Sequence, residues 1–93
     1  MKAFRVNAEW LEYAHGPGAE SAHPLALELL DIPAKRGVVL VGSRDLVEEI
    51  IDVAECYLGD SSVQDEDNPL WWRAYPTNVV RRGRKWLRQL SLA

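Results

Sequence analysis

Five cations crowd the C-terminal end of this chain: Arg81, Arg82, Arg84, Lys85 and Arg88. Trp71, Trp72, Tyr75 and Trp86 lie close by in sequence. Cations that neutralise phosphates, beside rings that stack on bases, are the equipment of a nucleic-acid surface. Tryptophan and arginine also dominate the hot spots of protein–protein interfaces. The plainest account is a solvated helix face whose cations suit the negative end of the helix dipole. Charge balance weighs against nucleic acid, because the chain carries a net charge of −3 and a pI near 5.3. Nucleic-acid-binding domains usually carry a positive excess. No zinc-finger or RNA-recognition signature is present either.

Other chemistry finds less support. His15, His23 and Cys56 are the soft-metal and nucleophile candidates. Their spacing matches no zinc motif, and the acids around Cys56 disfavour a thiolate. Glu48, Glu49, Asp52 and Glu55 lack the arrangement of a calcium loop. They read as a solvated face, or as the surface on which the basic helix of a second subunit docks. Gly42-Ser43 stands between a strand and a helix, where backbone N–H groups can hold a phosphate. Neither a P-loop nor a GxGxxG pattern accompanies it. No catalytic set, cofactor or metal site is assigned.

The elements that would position these residues centre on 37–59, GVVLVGSRDLVEEIIDVAECYLG. Val38–Val41 is an unbroken apolar run, which predicts a strand covered on both faces. Ser43 is an N-cap candidate for a helix over 43–58. Leu46, Val47, Ile50, Ile51, Val53, Ala54, Tyr57 and Leu58 share one arc of that helix, and the arc is expected to lie on the sheet. Residues 2–8 alternate as a half-buried strand, and Asn7 can instead cap a short helix over 8–15. Residues 24–31 predict another short helix, opened by Pro24. Residues 59–68 read as an acidic solvated loop.

Residues 69–75 fit a short helix, or less well a strand, and Pro76 is expected to end either one. Thr77 or Asn78 then caps a last helix over 78–90. Its apolar stripe holds Val79, Val80, Gly83, Trp86, Leu87 and Leu90. A glycine inside that stripe predicts the close approach of another backbone. Adjacent Trp71 and Trp72 cannot both face inward, so one of them is expected at a surface or interface.

Ninety-three residues predict one domain. A single cysteine excludes an internal disulfide and points to the cytoplasm. No signal-type apolar block or 18-residue apolar run appears, so no membrane role is expected. All 14 acids fall in residues 1–72 with five bases, while the other six bases follow Trp72. The fold class expected is α/β or α+β, a two- to three-stranded sheet packed by helices. The function expected is that of a small non-enzymatic interaction protein. It would bind a protein partner or itself as a homodimer, through Trp71, Trp72 and the five cations. A nucleic-acid-binding accessory protein is the alternative.

Overall fold

The computed structural model describes residues 3–15, 24–59 and 70–92. It is an α+β structure in which a two-stranded antiparallel sheet packs against helices. Strand β1 (Phe4–Asn7) pairs with β2 (Val38–Val41) in a register that sets Phe4 opposite Val41 and Asn7 opposite Val38. A tight turn leads into β2. Arg36 and Gly37 both adopt positive φ, 55° and 76°, the combination of a type I′ turn. Lys35 and Val38 exchange backbone hydrogen bonds of 2.9 and 3.0 Å across it.

The alternation in β1 is realised, with Phe4 and Val6 buried and Arg5 exposed. In β2, Val39 and Val41 are buried but Leu40 is 48 % exposed. The unbroken run Val38–Val41 therefore does not mark a strand covered on both faces. Helices cover one face of this narrow sheet, so period-2 burial holds even where every residue is apolar. No third strand forms among the described residues, because 70–75 is helical.

Asn7 serves in both of its expected roles. It ends β1, and its Oδ1 accepts from the Trp10 N–H at 3.0 Å to cap α1 (Ala8–His15). Helix α2 (Pro24–Asp31) has the predicted bounds. Helix α3 (Arg44–Gly59) opens after Ser43, whose carbonyl accepts from the Val47 N–H at 3.0 Å. Its Leu46, Val47, Ile50, Ile51 and Ala54 are buried, as its wheel predicts. Its most extensive partner is the C-terminal helix, not the sheet. Gly59 belongs to α3, and the rest of the predicted acidic loop lies outside the described residues.

Pro76 does not end a helix. A π-helical turn, Leu70–Ala74, runs directly into α4 (Tyr75–Leu92), with Pro76 fully buried at its second position. Proline has no N–H to give to a carbonyl four or five residues earlier, here Trp72 or Trp71. The widened turn accommodates this defect, a usual place for a π-bulge. The Trp71 carbonyl instead accepts from the indole N–H of fully buried Trp10 at 2.9 Å. Thr77, expected as a cap, lies inside α4 and donates its hydroxyl to the Arg73 carbonyl at 2.8 Å.

Gly83 does mark a close approach, but a side chain rather than a backbone fills the space. A Cβ at Gly83 would lie 2.7 Å from Ile51 Cγ1 and 2.8 Å from Ile51 Cδ1. We expect Gly83→Ala to lower stability by about 1–3 kcal/mol through overpacking, despite alanine's better helix propensity. Urea unfolding measures this. In the double variant with Ile51→Ala, the combined loss should fall short of the sum of the single losses. An unchanged midpoint for Gly83→Ala alone would mean that Ile51 moves aside freely.

A candidate docking groove between α3 and α4

Helix α4 is anchored on two sides, and the anchors decide which of its cations are free. On the sheet side, Arg82 donates from Nε to Asn78 Oδ1 at 2.5 Å and from Nη1 to the Arg5 carbonyl at 2.9 Å. Its guanidinium also lies 5.1 Å from the centroid of the Phe4 ring and 6.0 Å from that of Tyr75. These contacts take two of its five N–H donors and tie α4 to β1. Lys85 shares that side, in a shallow depression with Phe4, Arg5 and Trp86.

On the α3 side the picture differs. Arg81, Arg84 and Arg88 line one groove of about 650 Å³ together with Leu58, Thr77, Val80 and Leu87. Leu58 is 43 % exposed, and Val80 and Leu87 are half-buried. The floor is therefore aliphatic and the rim cationic. Arg84 forms an ion pair with Glu55 of α3, on exposed side chains where such a pair adds little stability. Arg81 and Arg88 have no hydrogen-bond or ion-pair partner for their side chains among the described residues. A second depression, lined by Leu70, Arg73, Ala74 and Thr77, continues the groove through the shared Thr77.

The predicted cation cluster is thus divided by the helix wheel. Arg81, Arg84 and Arg88 come together, and Arg82 and Lys85 face away from them. Trp71 is partly buried, packed edge-on to Tyr75 at 5.7 Å and 86°. The side chain of Trp72 lies outside the described residues. Trp86 is buried against Phe4. Sequence reasoning placed Leu58, Val80 and Leu87 on the apolar arcs; Val80 and Leu87 do pack against the core, but all three also line the groove, which it missed. Their signal was positional, since they sit at the edges of the two apolar arcs.

Among the described residues, the remaining candidates do not converge. Cys56 is exposed on α3, and His23 lies outside the described residues. Among the described residues, no group of three His, Cys, Asp or Glu side chains is placed to hold a metal. No helix among them is long and apolar enough to cross a membrane. His15 is 3 % exposed, and neither ring nitrogen has a hydrogen-bond partner in good geometry among the described residues. Burial holds its pKa below the usual 6.5, against a weaker opposing pull from the Leu11 backbone one turn earlier.

Two outcomes follow from this geometry. Arg82→Ala should cost about 1–2 kcal/mol in urea unfolding, while Arg81→Ala stays within about 0.5 kcal/mol of the parent. Equal effects would contradict the division of the cluster. For His15, the unfolded chain takes up a proton near pH 6.5 that the folded chain resists. The folded state therefore loses stability as pH falls through 6.5, down to the depressed folded value. His15→Leu should lose less stability than the parent between about pH 7.5 and about pH 5.5, the range in which free histidine titrates. Parallel losses would show that His15 is not the titrating group.

Compared with family models, curated proteins and solved structures, the chain matches none of them.

Proposed function

We propose that this chain is a small non-enzymatic interaction protein of the cytoplasm. It would act by receiving a protein segment in the groove between Leu58 and α4. The observation that carries this reading is an aliphatic floor inside a cationic rim, with Arg81 and Arg88 unpaired among the described residues. An apolar floor supplies affinity by dehydration. Unpaired arginines supply orientation and attract carboxylates with planar, bidentate geometry. A concave surface of this kind suits an amphipathic segment with one apolar and one acidic side.

The nucleic-acid alternative lacks one of its two components here. Base stacking needs open aromatic faces, whereas among the described side chains Trp86 is buried, Trp71 is partly buried and the groove floor is Leu58, Val80 and Leu87. Three arginines alone would give weak, salt-sensitive, sequence-independent contacts.

A photo-crosslinking residue in place of Thr77, in the cells that make this protein, tests the reading. We expect discrete protein adducts that disappear when Arg81 and Arg88 are both changed to Glu. Adducts containing nucleic acid would favour the alternative. Adducts indifferent to the arginine changes would remove the groove from the function.

A further inference from the structure

The groove has a candidate occupant within this same sequence. Read from its C-terminal end, the basic row of α4 runs Arg88, Arg84, Arg81, with gaps of four and then three residues. Helix α3 carries Glu48, Asp52 and Glu55, also with gaps of four and then three. Gaps of four and three keep all three side chains of each row on one stripe of an α-helix. Two such rows match gap for gap when the helices run antiparallel, whereas a parallel alignment displaces the middle pair by about 1.5 Å. In the antiparallel register Arg88 meets Glu48, Arg84 meets Asp52, and Arg81 meets Glu55.

Within one chain this register is not formed. The Arg84–Glu55 ion pair is offset by one step, and Glu48 pairs with Arg44 of its own helix. That offset pair forms where the packing of α3 on α4 sets the acidic row and the basic row side by side on a single surface of the molecule. A surface with adjoining rows of opposite sign is complementary to itself under two-fold rotation, which sets each row over the opposite row of the other copy.

We infer that the groove is the interface of an isologous homodimer. In it, α3 of a second copy lies antiparallel over α4, and the contact is made twice. This rests on the proposed docking function of the groove and names its occupant. Several features favour a second copy over another partner. The acidic row is accessible, with Asp52 exposed and unpaired among the described residues and the Glu48 and Glu55 side chains 45 % and 44 % exposed. The half-exposed Leu58 borders both rows, so the two-fold contact buries it from both copies. A planar membrane surface does not enter a concave groove. A nucleic acid would leave the acidic row facing phosphates.

Sedimentation equilibrium of the full chain, over a range of concentrations and at two salt levels, is the first test. We expect a species of twice the 10.5 kDa chain mass, with a dissociation constant that rises about tenfold or more from low to high salt. Two charge-reversed chains supply the second test. One carries Arg81→Glu and Arg88→Glu, and the other carries Glu48→Arg and Glu55→Arg. Each alone should be monomeric, because like charges then face each other across both contacts. An equimolar mixture should regain a one-to-one dimer, because the reversed basic row of one chain meets the reversed acidic row of the other. Circular dichroism establishes that both chains are folded before mixing.

A parent chain that stays monomeric at every concentration overturns the inference. So does a dimer indifferent to salt, or a mixture of folded variants that fails to associate. If the parent is monomeric while Thr77 still captures a different protein, the second copy is excluded and the groove reading survives. If Thr77 captures nothing, both fall.

Discussion

The hydrogen bond from the Trp10 indole to the Trp71 carbonyl is the constraint on which the rest of this structure depends. In the π-helical register of Leu70–Ala74, Pro76 removes the N–H donor that the Trp71 carbonyl would otherwise receive, and a buried carbonyl without a partner is costly. The chain meets that demand from 61 residues away in sequence. Tyr75 reinforces the same junction. Its ring lies 5.2 Å from that of Trp10, and its hydroxyl accepts from the Asn7 N–H at 2.7 Å. Asn7 in turn caps α1, so one cluster ties the end of the strand, the start of a helix and the entry into α4.

That cluster sets the rotation of α4 about its own axis. A π-turn just before Tyr75 changes the phase of every residue after it relative to an unbroken α-helix. With the phase fixed, Gly83 faces Ile51, Arg82 faces Phe4, and Arg81, Arg84 and Arg88 face the groove. The missing side chain at Gly83 lets α3 and α4 come close, which brings the acidic face of one beside the basic face of the other. The ion pair between Arg84 and Glu55 follows from this packing and does little to cause it.

Cations only one residue apart on α4 have different work as a result. Arg82 is spent on Asn78, the Arg5 carbonyl and two aromatic faces. Arg81 keeps its charge in solvent at the rim of an aliphatic depression. Arg82 has two of its five N–H donors committed inside the fold, whereas Arg81 on the open rim keeps all five. Composition alone treats these residues as one cluster, and the fold does not.

The sequence by itself determined the local elements. The arcs of α3 and α4, the bounds of α2, the alternation of β1 and the close contact at Gly83 are legible because side-chain periodicity and caps act over a few residues. It also carried the opposite signs of the two long helices. Three things were decided only by tertiary structure. Leu40 is exposed because no described element covers its face of the sheet, which no run of apolar residues reveals. Pro76 sits inside a helix because a distant indole satisfies the carbonyl that proline strands. Leu58, Val80 and Leu87 border an open groove because the edges of two apolar arcs are covered only as far as the neighbouring helix reaches. In each case the deciding partner lies far along the chain, and local pattern cannot say which partner arrives.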